Sequence, residues 1–65
     1  MAWKVGKGEK VWECLTDTHG NPTHLVTSDD RRERYYLYRI KDGVPEKIGK
    51  AKTPPELYRR YLKGR

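Results

Sequence analysis

Hydrophobic residues fall in short runs of strand length that are rich in β-branched and aromatic residues and are separated by polar stretches, which is typical of β-strands. Clusters of turn-forming residues divide this pattern into four strand segments. The segments are residues 10–16 (KVWECLT), 23–28 (THLVTS), 33–41 (ERYYLYRIK) and 44–50 (VPEKIGK). Pro45 cannot donate a hydrogen bond to a neighbouring strand, so we expect the fourth segment to lie at a sheet edge.

Two turns join these segments into hairpins. The cluster DTHGNP (residues 17–22) forms the first turn, and Asp42-Gly43 forms the second as a two-residue type I′ turn. A loop centred on Gly20 predicts three cross-strand pairs in the first hairpin: Trp12 with Ser28, Cys14 with Val26, and Leu15 with Leu25. The second turn predicts five: Lys41 with Val44, Arg39 with Glu46, Tyr38 with Lys47, Leu37 with Ile48, and Tyr36 with Gly49.

The C-terminal segment has the period of an amphipathic helix with a defined start. Thr53 suits the N-cap, Pro54 the first helical position and Glu56 the third, the pattern of a capping box. The predicted apolar side of this helix is formed by four residues: Leu57, Tyr58, Tyr61 and Leu62. The opposite side carries three cations: Arg59, Arg60 and Lys63. Gly64 suits the position after the helix end.

These elements predict an α+β fold in a single domain, residues 1–65. A small antiparallel sheet of about four strands, arranged as two hairpins, carries one C-terminal helix on one face. We expect the apolar side of the helix to pack on Leu37, Ile48 and Val44. Residues 1–9 (MAWKVGKGE) include two glycines and are predicted to form a flexible N-terminal arm.

Positive charge is concentrated in the second half of the chain. Of the net charge of +6, residues 1–30 contribute −2 and residues 31–65 contribute +8. A basic half on a small chain is the electrostatic footprint of a protein that binds polyanions. A lysine- and arginine-rich surface that keeps the protein soluble is the alternative explanation of the same charge.

The third strand segment adds aromatic rings to this charge, on the sheet face that the helix leaves open. Tyr36 and Tyr38 would offer stacking surfaces for bases, while neighbouring cations neutralise phosphates. The residues predicted to form a nucleic-acid-binding surface are Arg34, Tyr36, Tyr38, Lys47, Arg59, Arg60 and Lys63. Alternatively, the two tyrosines pack against Trp3 or Trp12, because tyrosine favours strands and has a large apolar ring to bury.

The charge and the aromatic pattern together predict a small, non-enzymatic protein that binds DNA or RNA with low sequence specificity. The alternative hypothesis is a protein-interaction module. Such a module would engage an acidic protein, or would self-associate through an edge strand as a weak homodimer.

No residue pattern predicts catalysis, a cofactor or a metal. Four candidate ligands surround the first hairpin (Cys14, Asp17, His19 and His24), but structural zinc sites bring more thiolates at short paired spacings. The lysines and glycines of residues 4–10 lack the spacing of a phosphate-binding loop. No apolar run approaches the length of a membrane span, and a single cysteine allows no internal disulfide, so we expect a cytoplasmic protein.

The second half of the chain resembles, in outline, two kinds of DNA-binding module: AP2-type domains and the amino-terminal arm-binding domains of phage integrases. The shared features are the strand YYLYRI, the turn DG, the segment KIGKAK and the helix TPPELYRRYL. Such modules are small and basic, and they lay a three-stranded sheet in the major groove. The aromatic residue that often ends their last strand is absent here, with Ala51 nearby instead, so no functional residues are carried over.

Overall fold

The computed structural model describes residues 3–62, which form four strands and one helix. The strands are β1 (Lys10–Thr16), β2 (Pro22–Ser28), β3 (Tyr35–Lys41) and β4 (Val44–Ala51), and the helix is α1 (Pro54–Tyr61). Neighbouring strands are all antiparallel, and their order across the sheet follows the chain. With α1 packed on one face, the predicted α+β fold is confirmed, as is the edge position of the Pro45 strand. No helix in residues 3–62 is long and apolar enough to cross a membrane.

The second hairpin follows the predicted register near its turn and then departs from it. Asp42 and Gly43 both have positive φ, 53° and 78°, as a type I′ turn requires. Three predicted pairs are confirmed: Lys41 with Val44, Arg39 with Glu46, and Tyr38 with Lys47. Beyond them Ile48 is an extra residue in a bulge of β4, so Leu37 pairs with Gly49 and Tyr36 with Lys50.

The predicted pair of Leu37 and Ile48 is therefore wrong, and the helix gives a physical reason. The ring of Tyr61 lies so close to Gly49 that a side chain at this position would overlap it. The bulge brings the one residue of β4 without a side chain opposite Leu37 and beneath the helix. Ile48 is displaced and remains 39% exposed.

The first hairpin has a register that the sequence did not predict. Its cross-strand pairs are Glu13 with Val26, Cys14 with Leu25, and Leu15 with His24. The three predicted pairs are therefore wrong. The turn is closed by the carboxylate of Asp17, which accepts hydrogen bonds from the backbone amides of His19 (2.8 Å) and Asn21 (2.9 Å). Gly20 has a φ of 85°, and the register shifts again at Trp12, which becomes the extra residue of a bulge in β1.

The core lies between the helix and the sheet. Its buried members are Val26, Tyr35, Leu37, Ala51 and Leu57, with Tyr58 and Leu62 packed against them. The predicted packing of the helix on Val44 and Ile48 is wrong, because both side chains are exposed. An eight-residue helix is only about 12 Å long, so α1 lies over the ends of β3 and β4 near Ala51 and leaves the tip of the hairpin uncovered.

The helix begins where it was predicted to begin, but its cap differs. Thr53 occupies the N-cap in extended conformation, and its carbonyl accepts the first helical hydrogen bond, from the amide of Leu57. The Thr53 hydroxyl makes no capping hydrogen bond. Prolines at the first two helical positions provide no amide hydrogens, and the carboxylate of Glu56 turns forward to Arg60 instead of back to Thr53. Gly64, predicted to follow the helix, lies outside the described residues.

The core assignment predicts unequal effects of two similar substitutions in the second hairpin. Leu37→Ala should lower the free energy of unfolding by about 2–5 kcal/mol, because it leaves a cavity beneath the helix. Ile48→Ala should lower it by less than about 1 kcal/mol, because Ile48 is bulged and half-exposed. Urea denaturation of the two variants measures both values. Equal losses would contradict the bulge and restore a direct pair between the two residues.

Candidate nucleic-acid interface

The sheet face opposite α1, which we call the outer face, is covered over its centre. Leu25 pairs with Tyr38 across β2 and β3 on this face, and Thr27 pairs with Tyr36. Leu25 and Thr27 are fully buried, although the helix lies on the other side of the sheet. Residues 3–9, which we call the N-terminal arm, contact this face through Gly6 and Glu9.

The carboxylate of Glu9 is the centre of these contacts. Its Oε1 accepts hydrogen bonds from the hydroxyl groups of Tyr38 (2.6 Å) and Thr27 (2.7 Å), and its Oε2 accepts one from Nζ of Lys47 (3.0 Å). The backbone amide of Gly6 donates to the Tyr38 hydroxyl at 3.0 Å. We call these four residues with Glu9 the Glu9 clasp. It joins the arm to three neighbouring strands, β2, β3 and β4.

The clasp keeps Glu9 ionised. Burial is the largest single influence on the pKa of Glu9 and acts to raise it, since the side chain is only 8% exposed. The hydrogen bonds from Tyr38, Thr27 and Lys47, with the charge of Lys47, together outweigh burial and hold the pKa below its usual value of 4.5. Burial, and then the hydrogen bond to Glu9, raise the pKa of Tyr38, so its hydroxyl stays protonated and donates.

The outer face therefore differs from the open aromatic surface that the sequence predicted. Tyr38 is only 5% exposed, with its hydroxyl bound to Glu9, so its ring is unavailable for base stacking. Nζ of Lys47 lies 4.2 Å from the centroid of the half-buried Tyr36 ring and is paired with Glu9. The structure brings these predicted residues together, but it uses their polar groups to hold the arm.

Cationic side chains converge at a different place, an open groove beside the end of β4. Six residues line this groove, which has a volume of about 380 Å³: Arg34, Lys50, Ala51, Lys52, Glu56 and Arg60. We call it the basic groove, because four of its six residues are cations and one is a carboxylate. Glu56 forms an ion pair with Arg60 at 2.7 Å, one helical turn away. The lining as a whole keeps a charge of +3.

The cations of the basic groove are brought together by the ends of three neighbouring elements. Arg34 directly precedes β3, and Lys50 and Lys52 flank Ala51 at the end of β4, where Ala51 pairs with Tyr35. The groove's helical residues come from the first two turns of α1, which starts two residues after Lys52. The end of one strand, the start of its neighbour and the beginning of the helix thus meet at one edge of the molecule.

Two of the predicted site residues, Arg34 and Arg60, lie in the basic groove. Arg59 is exposed outside its lining, and Lys63 lies outside the described residues. Lys50 and Lys52 were missed. Their spacing of two residues in KIGKAK was an available signal, since residues two apart at the end of a strand project to the same side.

The four candidate metal ligands of the first hairpin are not arranged as a metal site. In residues 3–62 no group of three or more His, Cys, Asp and Glu side chains is placed to hold a metal ion. Asp17 closes the turn, and two backbone amides, those of Asn21 and His19, lower the pKa of its carboxyl group. His24 Nδ1 lies 3.0 Å from the Thr23 hydroxyl, and Cys14 is exposed on β1.

A second polar contact ties the helix to the far edge of the sheet. The hydroxyl of Tyr58 donates a hydrogen bond to the carboxylate of Glu13 on β1. Burial, followed by this hydrogen bond, raises the pKa of Tyr58 to about 12. The bulge at Trp12 places Glu13 opposite Val26 and so on the helix face.

Comparison of the chain with models of known protein families, with curated proteins and with solved structures found no match.

The Glu9 clasp predicts that part of the free energy of unfolding is lost at acidic pH. Glu9→Gln should lower the free energy of unfolding at neutral pH by about 1–3 kcal/mol, because it removes the charge that accepts three hydrogen bonds. The folded-state pKa lies below 4.5, so the carboxylate stabilises the fold fully above that pH. This stabilisation is lost as the pH falls through the folded-state pKa.

The stability difference between wild type and Glu9→Gln should therefore narrow as the pH falls from about 7 to about 3, which urea titrations at each pH measure. Glu33→Gln is the matched control, because Glu33 is an exposed loop carboxylate. Its substitution should leave stability almost unchanged at every pH. A Glu9→Gln protein as stable as wild type at neutral pH would show that the arm is not held through this carboxylate.

Proposed function

We propose that this protein binds nucleic acid without catalysing a reaction, and that the basic groove makes its main phosphate contacts. The observation that carries the proposal is the convergence of Arg34, Lys50, Lys52 and Arg60 around one open groove. A concave, cationic surface concentrates positive potential and attracts polyanions. The partner is DNA or RNA, as the charge of the second half of the chain suggests.

Most of the groove's charge is free to meet phosphates. Among residues 3–62, ion pairs join Lys47 to Glu9 and Arg60 to Glu56. Arg34, Lys50 and Lys52 have no carboxylate within ion-pair distance in this part of the chain. Lys47, in contrast, is held by the Glu9 clasp, and its release would cost the clasp one of its hydrogen bonds. The groove therefore replaces the tyrosine-bearing outer face as the proposed binding surface.

Binding through such a groove implies low sequence specificity. Contacts from lysine and arginine to phosphates position a protein on nucleic acid but carry no direct information about the bases. They release counterions, so the affinity should fall steeply as the salt concentration rises. An acidic protein segment is the alternative ligand for the same cations.

Self-association through an edge strand has less support, because both edges of the sheet are interrupted. The bulge at Trp12 disturbs the hydrogen-bonding register of β1. In β4, Pro45 has no amide hydrogen and Ile48 forms a second bulge. Bulges and prolines on edge strands are the features by which proteins discourage pairing with another chain.

The proposal predicts a site-specific salt dependence. Lys50→Ala and Lys52→Ala should each weaken binding to every oligonucleotide sequence alike. Each should also reduce the slope of log affinity against log salt by about 0.7–0.9, the share of one phosphate contact. Fluorescence anisotropy of a labelled oligonucleotide, measured between roughly 50 and 200 mM salt, determines both quantities.

Lys41→Ala is the matched control, because it removes the same charge at the exposed tip of the second hairpin, the opposite end of β4. It should leave the slope almost unchanged. Equal effects of Lys41→Ala and Lys50→Ala would mean that binding depends on net charge and not on the groove. If the intact protein binds no oligonucleotide at low salt but does bind polyglutamate, the acidic-protein alternative replaces the proposal.

A further inference from the structure

Trp12 is a large aromatic side chain that the fold leaves half in solvent, 47% exposed. Its ring meets the ring of Tyr35 edge to face, with centroids 5.6 Å apart and an interplanar angle of 76°. The guanidinium of Arg32 lies over the indole, 5.5 Å from its centroid. Tyr35 is buried in the core, so it fixes one side of the indole while the rest of the ring stays accessible.

The local backbone holds this arrangement in place. Trp12 is the extra residue of the β1 bulge, which turns its side chain toward the helix face, where Tyr35 lies. The loop that carries Arg32 is closed by Asp29, whose carboxylate accepts a hydrogen bond from the amide of Glu33 and whose carbonyl accepts one from the amide of Arg32. Arg32 has a φ of 57°, in the left-handed region that few residues other than glycine adopt.

Trp12 and the basic groove lie at the same end of the sheet. Tyr35, which contacts Trp12, is also the cross-strand partner of Ala51, a groove residue. Arg34, another groove residue, directly precedes Tyr35 in the chain. Strands are spaced about 4.8 Å apart, so two strand spacings separate β1 from β3. An indole with a nearby arginine thus lies within a few strand spacings of four further cations.

We infer that Trp12 is a stacking position for an unpaired nucleobase, and that the preferred ligand is single-stranded nucleic acid whose phosphates enter the basic groove. This inference rests on the proposed function and specifies its ligand. A flat, exposed aromatic ring beside a cationic track is the arrangement by which proteins bind single strands with little regard to sequence. Duplex bases are paired and stacked on one another, so they present no free face to the indole.

Arg32 changes its contact when the base arrives. Over an exposed ring the guanidinium makes a weak cation–π interaction, which a stacked base exceeds. The side chain of Arg32 is exposed, so a phosphate of the bound strand can replace the indole as its partner. Arginine is suited to this exchange, because its planar group both stacks on rings and binds phosphate.

The test uses the full chain with Trp12 as its single tryptophan, in a Trp3→Phe background. Titration with oligothymidylate at low salt should quench the Trp12 fluorescence as bases stack on the indole. In the same background, Trp12→Ala should weaken binding of the single strand about 5- to 150-fold, the loss expected for one stacked base. Binding of a duplex of equal length should change less than about twofold. Trp3→Phe alone is the control and should leave both affinities unchanged.

The outcomes separate this inference from the proposed function. Salt-dependent binding that is unaffected by Trp12→Ala and causes no quenching would overturn the stacking position, while the basic groove stands as the binding site. Equal weakening for the single strand and the duplex would also overturn it. Absence of binding to both would reject the proposed function itself. Trp12→Leu, which keeps apolar contact with Tyr35 but has no aromatic face, must reproduce the Trp12→Ala result, and it replaces that variant if Trp12→Ala fails to fold.

Discussion

The hydrogen bonds that Glu9 accepts from Tyr38, Thr27 and Lys47 hold the N-terminal arm on the outer face of the sheet. The arm therefore covers one face while the helix covers the other. Residues 3–62 form one helix, α1, yet Leu25 and Tyr38 are buried on the sheet face that α1 does not cover. The N-terminal arm lies against that face, and Glu9 fastens it through polar groups of three strands. A buried carboxylate is stable in this position because its lone pairs are occupied by donors, one of them charged.

The hydrogen bonds to Glu9 also determine which cations remain available to bind a ligand. Lys47 is paired with Glu9 and lies over Tyr36, so its charge is already used on the outer face. Lys50, only three residues later, follows the β4 bulge and reaches the groove that Arg34, Lys52 and Arg60 share. Each bulge allows a contact with an aromatic ring. The bulge at Ile48 places Gly49 under the ring of Tyr61, and the bulge at Trp12 brings the indole to Tyr35, at the same end of the sheet.

Local chemistry made much of the fold predictable, and long-range contacts account for what was not predicted. The strand segments, the Asp42-Gly43 turn, the edge position of Pro45 and the helix start all depend on near neighbours in sequence. The bulge at Ile48 fits the helix, because it places Gly49 against the ring of Tyr61, a contact that the local sequence of β4 does not reveal. Likewise, the strand propensity of Tyr38 is the same whether its ring is exposed or covered. Its covering partner, Glu9, is 29 residues away in the chain, so local sequence does not reveal the contact. Arg34 and Arg60, which the sequence analysis placed on a strand face and on the polar side of the helix, both line the basic groove.

The most direct test of this account is residue-by-residue NMR mapping of the protein with a short single-stranded oligonucleotide, at low and at high salt. We expect amide shifts at Arg34, Lys50, Lys52 and Arg60, together with a shift of the Trp12 indole, all reversed at high salt. Glu9 and Tyr38 should keep their free-state shifts, because the arm stays closed over the outer face. Shifts centred on Glu9, Tyr36 and Tyr38, with none in the basic groove, would contradict the account and show that nucleic acid displaces the arm.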